Sequence, residues 1–138
     1  MRKYLEYSSL RTQAILPITN WQELTLEQHE TLAAFRVRFS EFQEHLGKSI
    51  RAIAIEEEVS ADRFGSILAF MEKLGIIETA ERWKLIRELR NAVNHEYEED
   101  EKRLSRFFLE ILKVTPELIE CYQRLLNFCA DAYGVKPE

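Results

Sequence analysis

The segment from Arg90 to Tyr97 carries the residue types in this chain best suited to chemistry on a phosphate group. Arg90, His95 and Tyr97 follow the spacing Arg-x4-His-x-Tyr, and Asn91 and Asn94 add amide side chains between them. A guanidinium matches phosphate oxygens in charge and geometry, and an imidazole exchanges a proton near neutral pH. The segment therefore predicts a site that binds a phosphate and transfers a proton. The alternative is an ordinary solvated helix face.

The same segment has the periodicity of an amphipathic helix. At about 100° per residue, polar side chains share one arc and apolar side chains fill the opposite side. The polar arc contains Arg87, Arg90, Asn91, Asn94 and Glu98, and the apolar side contains Leu85, Ile86, Leu89, Ala92 and Val93. His95 lies at the edge of the polar arc. We therefore expect Arg87 and Asn94 to assist the site from the same solvent-facing surface.

Composition predicts one compact helical domain. The 138 residues are 46% hydrophobic and 31% charged, with only four glycines and three prolines. This is the balance of a globular protein, since a disordered chain is less apolar and an all-β chain has more turn residues. We expect a single domain over residues 1–138, with 134–138 as a tail. The net charge of −5 argues against an extended basic surface for nucleic acid, so RNA would have to bind a local positive patch.

The cysteines, the histidines and the apolar runs indicate in which cellular environment the chain is expected to work. Cys121 and Cys129 are eight residues apart on a helical pattern, which is too far for a disulfide, so we expect free thiols in a reducing compartment. The three histidines are dispersed, and we expect no structural metal and no cofactor. No apolar run approaches 18 residues and no leader or lipidation signal is evident, which predicts a cytoplasmic protein that does not enter a membrane.

Local signals divide the chain into about five helices, and we predict an all-α, up-and-down bundle. Thr25 and Gln28 form a capping-box pattern before a long helix. The predicted helices cover about 2–15, 26–57, 64–74, 79–97 and 98–128. Apolar residues at helical spacing mark the core: Leu5, Leu10, Ala14 and Ile15 in the first helix, Leu32, Phe35, Phe39, Phe42, Leu46, Ile50 and Ile53 in the second, and Phe107 and Phe108 in the last.

Several residues are expected to begin or end these helices. Ser60 or Asp62 is expected to cap the third helix, and Gly75 to stop it. Thr115 and Pro116 predict a kink or a fresh start within the last helical region, because threonine caps helices and proline suits their first position. Isolated tryptophans such as Trp83 are expected at the edge of the core.

The motif and its helical setting resemble the HEPN superfamily, and more closely its HepT branch. Arg-Asn-x-x-x-His-x-Tyr stands near the end of the penultimate main helix of an all-helical domain of this length. The match is complete at Arg90, Asn91, His95 and Tyr97, and the helical framework fits over nearly the whole chain. Asn94 is not a defining residue of that motif.

The resemblance implies a metal-independent endoribonuclease that is the toxin of a type VII-like toxin–antitoxin pair. Its partner would be a cognate minimal nucleotidyltransferase, which acts as the antitoxin. Carried over by position, Arg90 and His95 would be catalytic, Asn91 would assist, and Tyr97 would receive an adenylate that silences the nuclease. The resemblance also implies a homodimer in which two motifs face each other. A composite site is chemically attractive because one imidazole does not easily perform both proton transfers.

Two alternatives stay open at the level of sequence. In the first, the protein is a non-catalytic, nucleotidyltransferase-associated substrate-binding subunit. The acidic run beside the motif favours this reading because it repels an RNA backbone. In the second, the protein is a structural dimerisation bundle, in which Arg90 pairs with Glu88 or Glu98 and His95 interacts with the helix C-terminus.

Overall fold

Five α-helices make up the fold of this chain, as a computed structural model describes it for residues 1–59, 63–92 and 101–134. These residues contain no strand, which confirms the all-α prediction. The bounds are α1 Arg2–Gln13, α2 Leu26–Glu56, α3 Phe64–Lys73, α4 Ala80–Ala92 and α5 Glu101–Tyr133, with a short 3₁₀ turn at Trp21–Glu23. No helix in the described ranges is long and apolar enough to cross a membrane.

The long helix α2 begins where the sequence predicts. The Thr25 hydroxyl accepts a hydrogen bond from the Gln28 backbone N–H at 3.0 Å, and the Gln28 side chain accepts one from the Thr25 N–H at 2.9 Å. This reciprocal pair satisfies two backbone donors that have no partner within the helix. The apolar stripe of α2 is buried as expected, and Phe35 and Phe39 are fully enclosed. Helix α2 packs against each of the other four helices and forms the centre of the fold.

Helix α1 buries a different face from the one predicted. Leu5 is buried as expected, but Leu10 is 67% exposed, and the buried positions after Leu5 are Ser8 and Thr12. Ser8 can be buried because the guanidinium of Arg38 on α2 donates a 2.6 Å hydrogen bond to its hydroxyl. A buried hydroxyl with a partner is tolerated where one without would be costly.

Helix α3 starts at a position other than the predicted caps. Its N-cap is Arg63, which makes no side-chain capping bond, so neither Ser60 nor Asp62 holds that place, and both lie outside the described residues. The predicted stop is confirmed. Gly75 follows the helix with a φ of +76°, a left-handed conformation that glycine adopts without steric cost.

Helix α5 runs continuously through Pro116, so the predicted fresh start is wrong. The residues around the proline are buried, including Val114, Thr115 and Leu118, while Pro116 itself is exposed. Thr115 does not cap a new helix, because its hydroxyl donates a 2.7 Å hydrogen bond to the Ile111 carbonyl one turn back. Burial of this face keeps the segment helical although proline removes one backbone hydrogen bond.

A single hydrophobic core draws on all five helices, and polar contacts fix helix α4 beside it. The Arg82 guanidinium donates two hydrogen bonds to the Glu117 carboxylate on α5, at 3.1 and 2.5 Å. This contact with Glu117 raises the pKa of Arg82 above its ordinary value. The next residue, Trp83, is 2% exposed. Helix α4 is therefore held at two faces, which orients the residues that follow Trp83.

Both cysteines of α5 are free thiols. Cys121 is buried, and burial raises the pKa of its thiol to about 12. Burial also raises the pKa of Cys129, which is only partly enclosed. Thiols whose pKa is raised in this way remain protonated near neutral pH and react slowly.

Candidate functional site

Helix α4 places part of the predicted site within the described residues. Arg87 and Asn91 are exposed and Arg90 is half-buried, all in the last two turns of the helix. The predicted catalytic His95, the auxiliary Asn94 and the adenylylation position Tyr97 lie outside the described residues, as does the predicted continuation of this helix. The geometry of the site is therefore judged mainly from the position of Arg90.

Arg90 does not face solvent in the way the sequence pattern predicts. At about 100° per residue, Arg90 lies only about 20° around the helix from Trp83, seven residues earlier. Trp83 and Ile86 are both buried, so Arg90 emerges beside the buried face of α4. Leu85, which the pattern assigns to the apolar side, is 43% exposed. The buried face of α4 is thus centred on Trp83 and Ile86, and Arg90 lies at its edge.

A pocket of about 140 Å³ lies between α2 and α4 at this point. Helices α2 and α4 both contribute to the pocket, and Phe64 at the start of α3 also lines it. The lining residues are Gln43, Glu44, Gly47, Lys48, Phe64, Trp83, Arg87 and Arg90. Three cationic side chains and one carboxylate surround this space. The pocket is therefore locally positive in a chain whose net charge is −5.

Two buried N–H donors on residues that line this pocket have no hydrogen-bond partner within the described part of the chain. They are Nε of Arg90 and Nε1 of Trp83. Leaving a buried donor unpaired costs about 1–3 kcal/mol, more when the group is charged. Buried donors therefore usually have a hydrogen-bond acceptor, and a ligand oxygen can be that acceptor.

Arg87 reaches the pocket from a fixed position. Its guanidinium carbon lies 5.0 Å from the centroid of the Phe64 ring, within the range of a cation–π contact. Stacking on an aromatic face leaves the edge of a guanidinium free to donate hydrogen bonds in its plane. Among the described residues, no ion pair joins Arg90 to Glu88. The pair between Arg90 and Glu88, which the structural dimerisation bundle predicts, is therefore not observed. The other predicted partner of Arg90, Glu98, lies outside the described residues.

Sequence reasoning did not connect the α2 side of this pocket with the motif helix. Gln43 is 3% exposed and directly follows Phe42 in the apolar stripe, which is the signal that could have identified it. Gly47 faces the indole closely enough that an added Cβ would lie 3.7 Å from Cζ2 of Trp83. Lys48 is 73% exposed and only loosely paired with Glu44, at 3.9 Å. Periodicity within α2 could not indicate that these residues meet α4.

One larger surface depression, next to α1, does not carry comparable chemistry. The pocket between α1 and the start of α2 measures about 590 Å³. Its one cation, Arg11, already donates to the Glu27 carboxylate at 2.7 Å and to the Tyr7 hydroxyl at 3.2 Å. A satisfied guanidinium offers a ligand less than an unpaired one. We therefore assign the candidate site to the smaller pocket at Arg90.

Comparison with known proteins adds no homologue to this description. No protein-family model, curated protein or solved structure gives a significant match to the chain. Within residues 1–59, 63–92 and 101–134, no three histidine, cysteine or acidic side chains cluster in a way that could hold a metal ion.

Proposed function

We propose that this chain is a HEPN-like, metal-independent endoribonuclease, the toxin of a type VII-like toxin–antitoxin pair in the cytoplasm. Arg90 and His95 are its catalytic residues, Asn91 assists them, and Arg87 and Asn94 extend the polar face. Its partners are an RNA substrate, a second copy of the chain and a cognate minimal nucleotidyltransferase antitoxin.

One observation carries the proposal: the half-buried Arg90 borders a positive pocket with its Nε–H unpaired among the described residues. A guanidinium used only for structure would have its donors paired with protein acceptors. An unpaired donor in a positive pocket suits the binding of a phosphate oxygen. The motif Arg-x4-His then adds an imidazole five residues after that guanidinium.

The proposed reaction needs only these residue types. A base removes the proton of a ribose 2′-hydroxyl, the 2′-oxygen attacks phosphorus, and the bond from phosphorus to the 5′-oxygen breaks. An acid protonates the departing 5′-oxygen, which leaves a 2′,3′-cyclic phosphate and a 5′-hydroxyl. His95 exchanges these protons, and Arg90 stabilises the charge that develops on the phosphoryl oxygens. A twofold homodimer supplies the second imidazole, so that one acts as the base and the other as the acid.

Cleavage of RNA by the purified protein in excess EDTA tests this proposal. We expect fragments that end in 2′,3′-cyclic phosphate, identified by mass spectrometry, and no loss of rate relative to buffer with Mg²⁺. Cyclic ends identify attack by the 2′-oxygen, whereas hydrolysis by a metal-activated water leaves linear phosphates. Intact RNA in EDTA, with cleavage restored by Mg²⁺, would contradict the proposal.

Silencing is proposed to occur at Tyr97. The nucleotidyltransferase would join the α-phosphorus of ATP to the tyrosine oxygen and release pyrophosphate and the phenolic proton. The attached adenylate adds bulk and negative charge two residues from His95. It would therefore repel the RNA backbone or occupy the phosphate site.

Tyr97→Phe should keep its nuclease activity and escape this silencing. Phenylalanine preserves the ring but has no oxygen to accept an adenylate. We expect the variant to arrest growth whether or not the nucleotidyltransferase is co-expressed, and its mass not to increase by one adenylate. Tyr133→Phe, a change on α5, serves as the control and should be silenced normally. Full protection of cells that express Tyr97→Phe would show that neutralisation works by binding alone.

The net charge of −5 favours a second candidate, a non-catalytic substrate-binding subunit for the nucleotidyltransferase. An acidic surface disfavours long RNA but does not prevent a small positive pocket from binding one phosphoryl group. This candidate predicts phosphate binding without cleavage in EDTA. The same assay therefore separates the two functions.

A further inference from the structure

We propose that the pocket between α2 and α4 is a binding site for a single phosphoryl group, in which the indole N–H of Trp83 and the Lys48 ammonium act together with Arg87 and Arg90. None of the α2 residues belongs to the Arg-x4-His motif. As a site for an RNA phosphate, the pocket rests on the proposed function. As a site for a phosphoryl group, it rests on its own geometry.

The direction of the Trp83 indole is the first support. Nε1 and Cζ2 lie on the same edge of the indole ring, and Cζ2 faces Gly47 on α2. The edge of the indole that carries the N–H therefore lies toward Gly47 on α2. Trp83 also borders a space of about 20 Å³ on the side of α5, which has room for about one water molecule. The larger of the two spaces that Trp83 borders is the one between α2 and α4, at about 140 Å³.

The donors around the pocket are the second support. Arg90 Nε and Trp83 Nε1 are both buried and unpaired in the part of the chain that is described. Lys48 and Arg87 add two further cations at the rim. A ligand that satisfies these groups must accept several hydrogen bonds and carry negative charge. Phosphate does both, and arginine and lysine are its usual protein partners.

Size decides how much of a ligand the pocket encloses. The pocket has a volume of about 140 Å³. Sites that enclose whole drug-sized ligands measure roughly 300–1,000 Å³. The pocket therefore holds one phosphoryl group and leaves any attached nucleoside outside.

Titration with inorganic phosphate at constant ionic strength, followed by the indole ¹⁵N–¹H signals, tests the proposal. The chain has two tryptophans, and Trp21→Phe identifies the Trp83 signal. We expect the Trp83 signal to shift in a saturable way and the Trp21 signal to stay in place. An unmoved Trp83 signal, or an equal shift with chloride alone, would overturn the proposal.

Charge variants extend the test. Lys48→Gln removes an exposed cation at the rim and should weaken phosphate binding about fivefold. Arg90→Gln should weaken it more than tenfold, because the Nε–H is buried. Lys84→Gln removes an exposed cation on α4 that does not line the pocket and should leave the affinity unchanged. Equal effects of Lys48→Gln and Lys84→Gln would show general electrostatics rather than a site.

A short deoxyribose oligonucleotide, which lacks the 2′-hydroxyl and cannot be cleaved, distinguishes the source of the phosphoryl group. Tighter binding than inorganic phosphate, with the same dependence on Lys48 and Arg90, would assign the pocket to a nucleic-acid backbone. Binding of inorganic phosphate alone would assign it to a free phosphate. Phosphate binding without RNA cleavage would support this site and reject the nuclease. Cleavage of RNA without a shift of the Trp83 signal would support the nuclease and reject this site.

Discussion

Alanine at His95 is expected to lower the rate of RNA cleavage about 10²–10⁴-fold, the usual contribution of a positioned general acid or base. Alanine at Arg90 is expected to cost about 10²–10³-fold, as for the loss of one preorganised group that stabilises transition-state charge. Both rates are measured in EDTA with one labelled RNA, and the far-ultraviolet circular dichroism of each variant is compared with wild type. Wild-type cleavage by either variant would remove that residue from the mechanism.

Two further variants show what kind of role these side chains play. Arg90→Lys keeps the positive charge but loses the planar set of donors, including Nε–H. We therefore expect a rate between those of wild type and Arg90→Ala. His45→Ala removes an exposed histidine of α2 that does not line the pocket and should cleave like wild type. Equal losses at His45 and His95 would indicate a general effect on folding or charge.

Phe39→Ala is expected to destabilise the fold by about 3–5 kcal/mol, the usual cost of truncating a buried phenylalanine. Phe39 is fully enclosed in the core on α2, the helix that contacts all the others, so the cavity cannot be filled by solvent. For a domain of this size, each kcal/mol corresponds to roughly 4 °C in the unfolding midpoint. We therefore expect the midpoint to fall by roughly 12–20 °C, measured by circular dichroism on heating.

Val37→Ala is the matched control for this prediction. Val37 precedes Phe39 by two residues on the same helix and is 48% exposed. Exposed substitutions of this kind usually change stability by less than about 0.5 kcal/mol. Similar losses for Val37→Ala and Phe39→Ala would mean that the apolar stripe of α2 does not form the centre of the core.

Local signals in the sequence were sufficient for the helical class and for most of the helix ends. The capping box at Thr25 and Gln28 and the stop at Gly75 act through bonds and backbone angles within a few residues, so they can be read from adjacent positions. The stripe through Phe35 and Phe39 was equally readable, because side chains three and four apart share one face of a helix.

Where local signals and tertiary packing disagree, packing decided which residues are helical and which are buried. Thr115 and Pro116 carry the pattern of a new helix start, yet α5 continues because the neighbouring Val114 and Leu118 are buried. Leu10 has an apolar side chain, yet Ser8 is buried in the first helix because Arg38 reaches it from α2. Contacts between helices outweigh local preferences, which are about 1 kcal/mol or less for most residues and about 3 kcal/mol for a proline within a helix.

The sequence by itself determined the helical framework and the motif that singles out Arg90, since both depend on residue type and spacing along one chain segment. Only the tertiary structure placed Arg90 beside Gln43 and Lys48 at one pocket. Those residues lie on two helices and are separated by about a third of the chain. The period of a helix specifies which side chains share a face but not which helix covers it. The pocket therefore follows from how α2 packs against α4.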